Sequence, residues 1–128
     1  MKLNMIVFQI FFALGVAGCS PTNRQSEMAA VIEVAKFRKK AGVSEADFLA
    51  AIRSIDTFAK DQPGFISREV GPDGKGGWID VVRWRDRHAA DSAMKAAEKS
   101  EICASAFSML DPKFEEMNHI TVAHRFNK

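Results

Sequence analysis

The sequence predicts an α+β fold in which a four-stranded antiparallel sheet carries helices on one face, in the chain order β-α-β-β-α-β. Three observations lead there. Segments rich in β-branched and aromatic residues alternate with stretches whose apolar residues recur at helical spacing. A glycine-dense turn joins the two middle extended segments, which makes them a hairpin. Ser44 and Asp86 stand where the two main helices begin, in positions suited to capping.

Val31 to Phe37 lacks Gly and Pro and is rich in β-branched residues, so it predicts the first strand. Gly42 ends the following turn. Ser44-Glu45-Ala46-Asp47 reads as a capping box with Asp in the third position, and Phe48, Leu49, Ile52, Ile55, Phe58 and Ala59 share one helical face. Gln62-Pro63-Gly64 stops that helix. Phe65 to Val70 predicts the second strand, Gly71 to Gly77 the turn, and Trp78 to Arg85 the third strand. Asp86 caps a helix with a narrow, small-residue face formed by Ala89, Ala90, Ala93, Met94 and Ala97. Ser100 interrupts it. A short helical piece from Glu101 to Leu110 carries Ile102, Ala106, Phe107 and Leu110, and Asp111-Pro112 closes it. Met117 to Phe126 predicts the last strand. This is the split β-α-β arrangement of ferredoxin-like domains.

The N-terminus predicts an address. Lys2 precedes an apolar run from Met5 to Leu14 broken only by Gln9, and small residues then lead to Cys19-Ser20. The run is shorter than the roughly 20 residues a membrane-spanning helix needs. Val16-Ala17-Gly18-Cys19 resembles the lipobox of bacterial lipoproteins, in which the cysteine is acylated and becomes the new N-terminus. That resemblance implies a signal peptide over residues 1–18, a lipidated Cys19 with a tether over 19–28, and one domain over 29–128. It implies an exported protein held on a bacterial membrane, with Ser20 pointing to the periplasmic face of the outer membrane. An ordinary secretory signal with an incidental cysteine is the alternative.

Cleavage would remove one cation, Lys2, from a formal net charge of +2. The remaining signs are interspersed, so neither nucleic acid nor a polybasic membrane patch is indicated. Lys36, Arg38, Lys39 and Lys40 form the one basic cluster, expected as a solvated strand end. Cys103 lies in an Ala-rich helical stretch and reads as a small buried hydrophobe. No Cys/His spacing suggests a metal.

Glu33-Val34-Ala35-Lys36-Phe37, Gly42-Val43-Ser44, Gln62-Pro63-Gly64-Phe65 and Trp78-Ile79-Asp80-Val81-Val82-Arg83-Trp84, followed by the Ala-rich helix, together resemble the antibiotic-biosynthesis monooxygenase-like (ABM-like) dimeric α/β-barrel domains. The resemblance covers about residues 29–126. It implies a homodimer in which the uncovered faces of two sheets meet and close a barrel. Members of that superfamily oxidise polycyclic phenols, degrade haem, handle quinols, or have no known activity. The haem-degrading pattern is not matched, since the corresponding regions offer Ala29, Ala30 and Val31, and then Ala93, Met94 and Cys103. The phenol-oxidising members use a tyrosine, and this chain has none. No cofactor is implied.

Strand alternation places Trp78, Asp80, Val82 and Trp84 on one side of the third strand, and Ile79, Val81, Arg83 and Arg85 on the other. It groups Glu33 with Val31, Ala35 and Phe37, and His119 with Met117, Thr121 and Ala123. With the first strand between the third and the last, Glu33, Asp80 and His119 converge beside Trp84, on a surface expected between paired subunits. An acid near an apolar surface with a histidine neighbour can take the proton of a phenol or hydroquinone, and the electron-rich anion can then pass an electron to oxygen. His119, Asp80 and Glu33 are therefore the catalytic candidates. Trp78 and Trp84 are candidates to stack on an aromatic ligand, with Met117 and Arg83 as further binding candidates. Arg68 and Arg83 are expected on the opposite face, paired with Glu69 or Asp86. His88 is expected in solvent and His124 away from the site.

Two readings stand side by side. One is a membrane-tethered domain that binds a small aromatic or quinone-like molecule and oxidises it without a cofactor. The other is a non-enzymatic binding or interaction lipoprotein, with the acids and histidine as a satisfied network at the dimer interface. An enclosed cavity with Glu33, Asp80 or His119 in its wall favours the first. An interior filled by Trp78, Trp84 and Met117 favours the second.

Overall fold

The computed structural model describes residues 28–128. The expected signal peptide, Cys19 and all but the end of the tether lie outside the described residues. Strand β1 (Val31–Phe37) leads through a turn into helix α1 (Glu45–Ala59), where Ser44 Oγ accepts the Asp47 N–H at 3.0 Å. Phe48, Ile52 and Ala59 are its buried residues. The corner into strand β2 (Phe65–Pro72) is made by Gly64, whose φ is +81°. A Cβ there would lie 2.6 Å from the Ala89 Cβ, so both the backbone and the space require glycine.

Asp73 holds the glycine turn by accepting the Lys75 and Gly77 N–H groups at 2.7 and 2.9 Å. Strand β3 (Trp78–Trp84) follows. Asp86 caps helix α2 (Arg87–Ala97) through the Ala89 N–H at 2.8 Å, and Ser100 caps a separate helix α3 (Glu101–Phe107). In α3 it is Cys103 and Ala106 that turn inward, and Ile102 and Phe107 stay exposed. Strand β4 (Glu116–Thr121) is shorter than the expected Met117 to Phe126. Its partner explains why: Thr121 pairs with Val31, the first residue of β1, so beyond it no strand remains to pair with.

The sheet order is β2-β3-β1-β4 with every neighbour antiparallel, which makes the fold ferredoxin-like. Two core clusters lie on the helix-covered face. Val31, Val82, Trp84, Ala89, Ala90 and Ala93 form one, with Phe65 against it; Phe37, Phe48, Ile52 and Leu110 anchor the other, with Trp78 and Val70 packed on it. The small alanines of α2 let that helix sit close to β1 and β3. The opposite face carries Ile32, Val34, Ile79, Val81 and Ile120 and contributes nothing to either cluster.

Strand β2 contains one irregularity with a large effect. Phe65 pairs with Trp84 and Ser67 with Arg83, so Ile66 is an extra residue, a β-bulge. Past it the alternation is reset. Arg68 comes opposite Val82 and Val70 opposite Asp80, both on the helix-covered face. The expectation that Arg68 projects from the other side is therefore corrected, because simple alternation from Phe65 does not survive the bulge.

Candidate functional site

Between the two core clusters the strands place their polar residues. Glu33 lies midway along β1, Asp80 midway along β3 and His119 midway along β4, with Glu33 directly opposite His119 in register. The His119 Nε2 stands 3.0 Å from Glu33 Oε2, and both side chains are largely buried. Burial pushes the Glu33 carboxyl above its ordinary pKa, against the opposing pull of His119, and nearby Asp80 adds to the rise.

Asp80 is held differently. Arg68 grips it side-on, donating from Nε at 3.1 and 3.0 Å to the two carboxylate oxygens and from Nη2 at 2.7 Å. The guanidinium side chain is only 3% exposed, and its Nη1 donates to Asp56 Oδ1 at 2.6 Å and to the Ile52 carbonyl at 3.0 Å. Burial still raises the Asp80 pKa more than Arg68 lowers it. Burial would also lower the Arg68 pKa, but its hydrogen bonds to Asp80 and Asp56 carry it upward. The group is a buried ion pair tied to α1.

A cavity of about 430 Å³ opens above this floor, between the sheet and the helices. Glu33, Asp80, Arg68 and Trp84 are among its lining residues, as are Ile55 and Phe58 of α1, Met94 of α2 and Cys103 of α3. The Trp84 indole N–H is buried beside Glu33, whose carboxylate it helps to stabilise, yet it makes no hydrogen bond of ordinary geometry. Burial raises the Cys103 thiol pKa, as befits a packing residue more than a nucleophile. Among the described residues no three His, Cys, Asp or Glu side chains are grouped to hold a metal ion.

The sequence candidates divide cleanly. Glu33, Asp80, Trp84 and Met117 line the cavity, and His119 sits behind Glu33, bonded to it. Trp78 is elsewhere: it packs edge-on against Phe48 at 5.2 Å, within the second core cluster. Arg83 is on the opposite face, paired with Glu69, so it does not serve the cavity. The expected location between subunits is also corrected, since the acids and the histidine lie on the side that the helices cover. Arg68 was expected on the other face, and Asp56 was missed. A signal existed for the first: Phe65 and Val70 are both apolar yet an odd number of residues apart, which one regular strand cannot turn to the same face.

No protein-family model and no curated protein sequence matches the chain. Solved structures do. SnoaB from Streptomyces nogalater, a cofactor-independent oxygenase, superposes with a TM-score of 0.65 at 16% identity, over 79% of this chain and 100% of its own. A candidate antibiotic biosynthesis monooxygenase from Bordetella bronchiseptica gives 0.61 at 15% identity, over 76% and 100%. A dimeric ferredoxin-like protein from an uncultured marine organism gives 0.59 at 10%, over 80% and 96%. These are likenesses of fold: the domain has the ferredoxin-like architecture that such oxygenases and dimers share.

Proposed function

We propose that this chain binds a small aromatic or quinone-like molecule in the cavity above Glu33 and oxidises it with molecular oxygen and no cofactor. The single observation that carries this reading is the cavity itself, apolar in its walls, with a buried carboxyl of raised pKa at its floor and a histidine directly behind that carboxyl. A phenol or hydroquinone in that space would give its hydroxyl proton to Glu33, with His119 stabilising the exchange. For a hydroquinone the resulting anion passes one electron to oxygen, giving a semiquinone and superoxide, and the second electron and the two hydroxyl protons complete the quinone and hydrogen peroxide. Trp84 would supply a ring face, with its indole N–H beside Glu33 able to reach a ligand oxygen held there. In this reading Asp80 and Arg68 hold the floor rigid. The likeness to SnoaB is compatible with it.

The second reading is ligand binding without turnover. It is favoured by the hold of Asp80, Asp56 and the Ile52 carbonyl on Arg68, which ties this guanidinium into the fold instead of offering it to a developing anion in the cavity.

In either case the protein is proposed to be a homodimer joined through the open sheet face, and to be exported and held on a membrane through acylated Cys19. Labelling with radioactive palmitate, lost in Cys19→Ala, tests the anchor. Oxygen uptake against a hydroquinone panel tests the chemistry. Glu33→Gln and His119→Ala are expected to lower it by about 100-fold. Saturable binding with no uptake above that of the variants would leave the second reading standing.

A further inference from the structure

The mouth of the cavity is apolar. Phe107 at the end of α3, Phe114 between α3 and β4, and Met117 in β4 are 46%, 47% and 49% exposed. Phe107 and Met117 line the cavity, and Phe114 lines an adjoining hollow of about 330 Å³ that shares Lys36, Phe37, Glu115 and Glu116 with it. Large side chains left half-bare around one opening mark a surface that meets something other than water.

The charges there do not select a charged partner. Lys36, Arg38 and Lys113 are interspersed with Asp73, Glu98, Glu115 and Glu116 around the two openings, and Lys36 already pairs with Glu116 at 3.8 Å. Arg38 lies over the Phe114 ring, 4.3 Å from its centroid. An aromatic ring under a long basic side chain suits the boundary between lipid headgroups and acyl chains, where the stem stays buried and the cation reaches water. Reach is sufficient as well. From Cys19 to Met28 the chain spans at most about 30 Å. Met117 pairs with Ala35, which is about 13 Å along β1 from Val31.

We infer that Phe107, Phe114 and Met117 dip into the surface of a lipid bilayer, so that the ligand enters the cavity from the acyl phase. The ligand class follows: an uncharged, lipid-soluble phenol, hydroquinone or quinone with an apolar tail. This rests on the cavity and anchor readings above. A second copy of the chain is assigned elsewhere, to the open sheet face, which leaves the rim to the membrane.

The test uses the lipidated full chain in vesicles of equal parts phosphatidylcholine and phosphatidylglycerol that carry decylbenzoquinone, with water-soluble benzoquinone as control. Both quinones quench indole fluorescence at short range, and Trp84 is in the cavity wall. The vesicle-borne quinone is expected to quench wild type with little dependence on salt. In the variant Phe114→Ser, which alters the rim and no residue of the cavity lining, that quenching should fall about tenfold, with quenching by benzoquinone unchanged. Equal quenching of variant and wild type from vesicles overturns the docking. So does a change of the variant from dimer to monomer in sedimentation, which would make the rim a protein interface. Silence with the vesicle quinone alone also refutes docking, whereas silence with both quinones refutes the cavity reading beneath it.

Discussion

Asp80 can remain charged in the interior because Arg68 reaches it with three hydrogen bonds, and that dependence can be measured. Arg68→Met should destabilise the domain by about 3–5 kcal/mol, since it strands a carboxyl that is 9% exposed. Adding Asp80→Leu to that variant should recover most of the loss in urea unfolding. A double variant no better than the single one would show that the pair is not what holds this region together. Glu33 makes a second, opposite-looking prediction. Its pKa is raised in the folded state, chiefly by burial, so the native domain binds a proton that the unfolded chain has already released. Stability from this group is thus present below the unfolded carboxyl value of about 4.3 and is lost as pH rises through the folded value. In thermal melts, wild type should lose ground relative to Glu33→Gln as pH is raised from about 4 towards neutrality. A constant difference between the two would count against the buried placement.

At the level of elements, the corner between α1 and β2 is the most constrained joint. Gly64→Ala must place a Cβ both in the left-handed backbone region and against Ala89, so a loss of about 2 kcal/mol or more is expected in urea unfolding. That joint was legible in the sequence, as were the Ser44 and Asp86 caps, because each depends on residues within a few positions of itself. The opposition of Glu33 and His119 was legible too, since β1 and β4 are regular and parity alone sets which side chains share a face. What could not be read was where one element stops or changes face on account of another. The end of β4 is set by where β1 begins, and the facing of Arg68 by a bulge whose only trace was the mismatched parity of Phe65 and Val70. Which face the helices would cover decided whether the acids lay inside one subunit or between two. Trp78 and Trp84 share a strand face, yet Phe48 draws the first into a core cluster and only the second borders the cavity.

Over the whole molecule, the core is divided into two apolar lobes with charged groups at the waist, and the cavity lies where the lobes part. The helices cover one side of the sheet, and the branched side chains of Ile32, Val34, Ile79, Val81 and Ile120 give the other side the character of an interface. Val81→Lys should leave the subunit folded and shift sedimentation from dimer to monomer, because it sets a cation in the centre of that surface. A wild-type monomer at micromolar concentration would remove the dimer from the proposal. The extra residue at Ile66 links these two sides in a way that bears on how such a domain can change over evolutionary time. In-frame loss of that single codon would shorten no loop. It would leave Phe65, Ser67 and Arg68 in plain alternation on their present partners, so both surfaces of β2 would survive; only the loss of Ser67 as well would swing the guanidinium out to the pairing face and abandon a carboxylate in the interior.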